Sequence, residues 1–205
     1  MKKFLLTLFV ISGLFFCYAV YVDNDILRAI VKPIPLIILL FLLKPNTKYK
    51  KLIFIGFIFS LFGDIFLMNI VDKFIFGLAS FLIAHIFYII AFSKRKKQLN
   101  IISALPFYAV AVILIFFFYP YLGSIKVPVI IYIIVIITMV WRAFLQRNFD
   151  KVAIYALIGA TLFAISDTNI AFTKFIHDYD YSKIVTITLY WAAQFLIFKS
   201  AGKAQ

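Results

Sequence analysis

Residues 101–122 run for twenty-two positions without one charged side chain, and about 20 apolar residues are what a helix needs to cross the hydrocarbon of a bilayer. Similar runs recur along the chain, interrupted by charged or turn residues, and mark eight candidate spans near 4–22, 27–43, 52–70, 74–92, 101–122, 126–141, 152–172 and 183–198. The runs are apolar on every side, whereas a membrane barrel alternates apolar and polar positions. The expected fold is therefore an all-α polytopic bundle, in which each helix satisfies its own backbone groups within lipid. The connections, such as Asp23-Asn24-Asp25, Lys44-Pro45-Asn46, Asp72-Lys73 and His177-Asp178-Tyr179-Asp180, are short. One transmembrane domain over 1–205 follows, with no second domain.

Composition removes other classes. Only 14% of residues are charged and 65% are hydrophobic, against roughly a quarter charged in ordinary globular chains. The net charge of +13 would suit a nucleic-acid binder only on a solvated basic face. Here the basic residues sit in short clusters between apolar runs, so no nucleic-acid partner is expected, and no protein partner is indicated. The single cysteine, Cys17, rules out an intrachain disulfide, a zinc cluster or an iron–sulfur site. All eight acidic residues are aspartates, so the His-Glu zinc-protease motif is absent. Seven scattered glycines form neither a phosphate loop nor a dinucleotide fingerprint. No cofactor and no resident metal are expected.

Met1-Lys2-Lys3 and the apolar stretch after it imitate a secretory signal, but the stretch is long for one and lacks a clear small-residue cleavage site. It reads as the first span. Lipoprotein processing at Cys17 is disfavoured by the bulky Phe15 and Phe16 just before it. Basic residues in short loops stay on the cytoplasmic side. One set of loops and ends holds Lys2, Lys3, Lys44, Lys48, Lys50, Lys51, Lys94, Arg95, Lys96, Lys97, Arg142, Arg147, Lys151, Lys199 and Lys203. The other set holds only Arg28, Lys73, Lys126, Lys174 and Lys183. Eight spans with both termini cytoplasmic fit this sorting, in what by analogy is a bacterial inner membrane.

Ionisable side chains inside a span are costly and mark functional sites by default. Only four stand clearly inside, away from the span ends: Lys32, Asp64, His85 and Asp167. Gly56, Ser60, Gly63 and Asp64 share the offsets 0, 4, 7 and 8 with Gly159, Phe163, Ser166 and Asp167. Each set lies on one helical face. The two spans are four apart and so run in the same direction, which points to a duplicated, parallel four-helix unit. Lys32, Asp64 and Asp167 each fall about five residues from the outer end of a span, roughly 7–8 Å deep. Bland readings stand beside these. Each aspartate can simply hydrogen-bond a neighbouring helix, Lys32 can snorkel, and His85, Tyr190 and Gln194 can serve packing alone.

Two carboxylates in unlike surroundings can divide acid and base roles, with Lys32 holding one charged and Ser60 and Ser166 orienting them. A serine nucleophile with His85 as base ranks below this, because no nucleophile-elbow sequence exists. A metal held by His85 and the aspartates lacks a ligand-spacing signature.

Ser60-x-x-Gly63-Asp64-x-x-Leu67, Gly77-x-x-x-Phe81-x-x-x-His85-x-x-Tyr88 and Gly159-Ala160-x-x-Phe163-x-x-Ser166-Asp167 stand in order between Lys32-Pro33 and Tyr190-x-x-x-Gln194. Together they resemble the YhhN family of multi-pass membrane proteins, which includes the lysoplasmalogenases. That resemblance covers nearly the whole chain. It implies hydrolysis of the vinyl ether of a lysophospholipid substrate, a lysoplasmalogen. Joined to the buried charges, this makes Asp64 and Asp167 the expected catalytic pair, with Lys32, Ser60, His85, Tyr88, Ser166, Tyr190 and Gln194 supporting. A transporter or channel that uses the buried charges for coupling is the alternative.

Overall fold

The computed structural model describes residues 2–202. Of the residues counted above with the basic ends, Lys203 and the side chain of Lys2 lie outside the described residues, as does Met1. Among the described residues there are nine α-helices and no strand: α1 Lys2–Tyr21, α2 Asp25–Val31, α3 Ile34–Leu42, α4 Lys48–Phe66, α5 Phe74–Arg95, α6 Leu105–Phe118, α7 Lys126–Gln146, α8 Ile154–Phe175 and α9 Ser182–Ser200. Single 3-10 turns extend α6 at both ends and lead into α7. Side-chain caps fix two starts: the Asn24 carbonyl accepts from the Leu27 N–H and the Thr47 hydroxyl from the Lys50 N–H, each satisfying a backbone donor that the first turn leaves unpaired.

Among the described residues, five helical rods are long and apolar enough to cross a bilayer: α1, α5, α6 and α7 with their 3-10 turns, and α8. The run 27–43, expected as one span, is instead broken into α2 and α3 at Lys32-Pro33. Pro33 and Pro35 both lack an N–H, so the ladder of hydrogen bonds cannot continue through them. Helix α4 also departs from its expected 52–70, starting four residues earlier at the Thr47 cap and ending at Phe66. Large apolar side chains such as Phe41, Phe116, Val112 and Ile113 stand exposed around the outside. Water would penalise such a surface. The chain is a multi-pass integral membrane protein.

Without water to drive helices together, close approach and polar contacts must hold the bundle. Gly56 lets α5 lie against α4: a Cβ there would fall 2.2 Å from the Tyr88 ring. Gly159 does the same for α8 and α9, where a Cβ would stand 2.8 Å from the Ala193 carbonyl oxygen. These are the first positions of the two matching frames. The helix pairings of the halves correspond as well: α4–α5 with α8–α9, α1–α3 with α6–α7, α3–α4 with α7–α8, and α3–α9 with α5–α7. At one end of the bundle, Leu6, Lys44, Lys50, Val152 and Lys199 surround a common crevice. The Arg95 guanidinium there stacks 3.8 Å from the Tyr49 ring centroid, lies 3.6 Å from Asp150 and donates to the Ser200 carbonyl. At the opposite end, Asp25, Asn69, Asp72, Lys174, Asp178 and Lys183 line a second opening.

Candidate active site

The break between α2 and α3 places Lys32 where its ammonium reaches across to α4. Its Nζ lies 3.8 Å from Asp64 Oδ1 and donates to the Asp64 backbone carbonyl at 3.3 Å. Tyr190 of α9 donates its hydroxyl to Asp64 Oδ2 at 2.8 Å. Asp64 is thus buried against one cation and one alcohol, both from other helices.

Asp167 has different company. The Tyr132 hydroxyl of α7 donates to its Oδ2, and His85 Nε2 of α5 lies 3.9 Å from the same oxygen. Oδ1 is buried without any hydrogen-bond partner. His85 is completely buried, and neither of its ring nitrogens has a hydrogen-bond partner. Its ring packs edge-on against Phe163 at 4.6 Å and Tyr132 at 5.3 Å between centroids. Tyr190 in turn packs 5.3 Å from Phe163, so Tyr190, Phe163 and His85 form an unbroken path from Asp64 to Asp167. The two carboxylates keep corresponding company: Asp64 meets span two and span eight of the sequence reading, and Asp167 meets span six and span four.

Their helix positions are unequal, contrary to the common depth expected from the sequence. Asp64 is two residues from the end of α4, Asp167 is eight from the end of α8, and Lys32 lies just past α2. Shifted helix ends account for the difference, and the side chains converge nonetheless.

The remaining expected residues sort into two groups. Tyr88, Ser60 and Gln194 form a buried chain, with 3.2 Å between the Ser60 and Tyr88 oxygens and the Tyr88 hydroxyl donating to Gln194 at 3.1 Å. Ser166 donates to the Thr186 carbonyl at 3.0 Å. Neither serine hydroxyl bonds to an aspartate, and neither bonds to His85. They tie helices together, and a Ser60 or Ser166 nucleophile activated by His85 has no support in these contacts. Among the described residues, no three His, Cys, Asp or Glu side chains converge in a way that would hold a metal ion.

Sequence reasoning missed Tyr132. Its signal was positional: it stands in the span that corresponds to that of Lys32, at nearly the same distance from the span start.

Two pockets adjoin this cluster, one reaching Asp167 and the other reaching Lys32, the partner of Asp64. The first is apolar, with about 660 Å³ of empty space including its mouth, and Leu78, Phe81, Leu114, Ile133, Ile136 and Ala164 line it together with Tyr132 and Asp167. The second is the polar opening at the end of the bundle, with about 1150 Å³, and Lys32 stands in its wall. Leu67, Phe74 and Ile170 line both. A greasy slot and a charged vestibule thus share a wall beside paired aspartates, an arrangement matched to an amphiphile.

Fold and site together define a polytopic membrane protein with a buried carboxylate pair at the junction of an apolar and a polar pocket. The YhhN family model matches residues 27–201. A Bos taurus protein named lysoplasmalogenase TMEM86A is 33% identical over 160 residues, covering 75% of this chain and 66% of that protein. The Homo sapiens protein of that name is 32% identical over 160 residues with the same coverage. A Mycobacterium tuberculosis (strain CDC 1551 / Oshkosh) protein named lysoplasmalogenase is 30% identical over 134 residues, or 60% of this chain and 49% of that protein. The chain matches 66% or less of the length of these relatives. No solved structure matches it. The chain belongs to the YhhN family.

Proposed function

We propose that the protein is a membrane-embedded hydrolase that cleaves the vinyl ether of a lysoplasmalogen or related ether lysolipid, giving a fatty aldehyde and a glycerophospho-base. The observation that carries this reading is the state of Asp167. One carboxyl oxygen is engaged by Tyr132, while the other is unpartnered and buried on a residue that lines an apolar pocket. A carboxylic acid so placed can give its proton to carbon. The names of the relatives supply the substrate class.

The division of labour follows from the neighbours. Asp64 has the Lys32 ammonium beside it and acts as the carboxylate, whereas Asp167 has only a phenol and an imidazole near it and carries the proton. With the alkenyl chain in the apolar slot, Asp167 protonates the outer alkene carbon and leaves an oxocarbenium ion. The Asp64 carboxylate stabilises that cation and takes a proton from the water that adds to it. The product is a hemiacetal. Its collapse passes the proton of the new hydroxyl to the glycerol oxygen, releasing aldehyde and alcohol, and return of the proton from Asp64 to Asp167 resets the site. His85 and Tyr132 hold Asp167 in place, and the dry surroundings prevent bulk water from levelling the two carboxyls.

In topology, the reading has eight spans with both ends on the Lys- and Arg-rich side, in a bacterial cell membrane. A carrier is the second reading, favoured by the helix broken at Lys32-Pro33, since interrupted helices line the sites of many transporters. The two separate in one experiment with purified protein. A hydrolase releases aldehyde from lysoplasmalogen in detergent with no gradient, and a carrier gives flux only across sealed vesicles. Absence of aldehyde from folded protein across several headgroups would overturn the hydrolase reading.

A further inference from the structure

The polar vestibule holds more charge than the proposed chemistry uses. Lys174 and Lys183 both line it, and among the described residues neither has a carboxylate within ion-pair distance. Asp72 lines the same opening and likewise makes no ion pair. Of the other carboxylates there, Asp25 is paired with Arg28 and accepts from Asn69, whereas Asp178 accepts from the Ser182 hydroxyl and has no cation within ion-pair distance among the described residues, which leaves Asp72 as the carboxylate free of both. Arg28 is buried in the wall, and its Nε has no partner. Cations and two carboxylates, Asp72 and Asp178, are therefore left without ion pairs around a single opening, one wall of which continues into the slot that holds Asp167.

Unpaired charges of both signs around one opening suit a ligand that carries both signs. We propose that this vestibule is the headgroup subsite and takes a zwitterionic phosphoamine headgroup, with the phosphate between Lys174 and Lys183 and the amine on Asp72. The proposal rests on the hydrolase reading for its choice of a lysolipid. Charge-assisted contacts to phosphate are the strong ones available at such a mouth, and Arg28 Nε extends the donor set inward. Phosphate bound there leaves the alkyl chain directed past Leu67, Phe74 and Ile170 into the apolar slot. Headgroup recognition and bond cleavage are then separate parts of one site.

The test uses uncleavable 1-O-alkyl ethers, so that binding is read apart from catalysis. Purified full-length protein in detergent is offered the alkyl lysolipid with a phosphoethanolamine headgroup, the alkylglycerol phosphate without the amine, and the bare alkylglycerol. Lys174→Gln/Lys183→Gln, Asp72→Asn and, as a control for net charge, Lys73→Gln are run beside the wild type. The wild type is expected to hold the phosphoethanolamine lipid about tenfold or more tighter than the alkylglycerol. The double lysine variant loses that preference while keeping its grip on the alkylglycerol, and Asp72→Asn loses only the preference for the amine. Lys73→Gln changes neither. Equal binding of all three lipids by the wild type, or a preference that survives the double substitution, overturns the proposal. So does full competition by millimolar inorganic phosphate, which would mark a site for free anion. Failure of the hydrolase reading is scored separately, by aldehyde release from the alkenyl lipid in the same preparations.

Discussion

Asp64 and Asp167 look alike in the sequence and differ in the fold by what touches them. Lys32 and Asp64 form a nearly buried pair, with 17% and 2% of their side chains exposed. Removing one partner of such a pair strands the other charge, at a cost of about 3–5 kcal/mol. Lys32→Gln should therefore lower the unfolding midpoint in detergent, and adding Asp64→Asn should recover part of the loss. Equal losses in the single and double variants would mean that the pair is not coupled. Tyr132→Phe should lower the midpoint, because the buried Asp167 carboxyl then has no hydrogen-bond donor, at a cost of about 1–3 kcal/mol, and should reduce turnover about tenfold or more, since Asp167 loses the group that orients it. Turnover at the wild-type rate would remove Tyr132 from the site. Ionisable residues in apolar runs announce themselves because burying them is expensive, and that made Lys32, Asp64, His85 and Asp167 legible in advance. Tyr132 carries no such contrast among 12 tyrosines, and its contact with Asp167 exists only once α7 packs on α8. Ser60 and Ser166 were legible as buried polar positions, but their partners, Tyr88 and the Thr186 carbonyl, come from other helices and could not be read from spacing along their own.

At the scale of the helix, each expected apolar run is helical, but one is broken in two and most of the ends differ. Apart from Arg28 near its start, the segment 27–43 is apolar around Lys32, so hydropathy gives no sign of the break, although the prolines at 33 and 35 do. In α4 the lysines at 48, 50 and 51 lie within the helix, because their long stems let the charged heads reach out while the backbone stays helical. The far end of α4 stops early in a turn through Asp72, which adopts a left-handed φ of 43°. The glycine frames have a clear packing basis. Gly159→Ala would drive a methyl against the Ala193 carbonyl, an immobile neighbour, and overpacking of this kind costs about 1–3 kcal/mol. A lowered midpoint in detergent is expected, with α8 and α9 forced apart. An unchanged midpoint would show that the helices can part freely there.

For the whole molecule, the charge sorting of the loops and the ends of the bundle make one consistent picture. The crevice ringed by Lys44, Lys50 and Lys199 and the vestibule ringed by Asp72, Lys174 and Asp178 lie at opposite ends, which places the carboxylate pair nearer the less basic side. In a Cys17→Ser background, Gln98→Cys should react with an impermeant thiol reagent only from the basic side, and Tyr179→Cys only from the other. Labelling of both from one side would refute the topology. Charge sorting is readable in a sequence because lysine counts need no tertiary information, whereas the slot is built from α5 to α8 and the vestibule from α1, α2, α5, α8 and α9, and their junction has no linear signature.

The central claim is that Asp167 gives a proton to the alkene carbon, and the product itself records that event. Purified protein should be supplied with a lysoplasmalogen in heavy water and the aldehyde reduced as it forms, so that the label is trapped. The account predicts one deuterium on the carbon next to the former aldehyde carbon for the wild type, and product from Asp167→Asn slower by about 10²–10⁴-fold. Unlabelled product from the wild type, or labelled product formed at the full rate by Asp167→Asn, would contradict it.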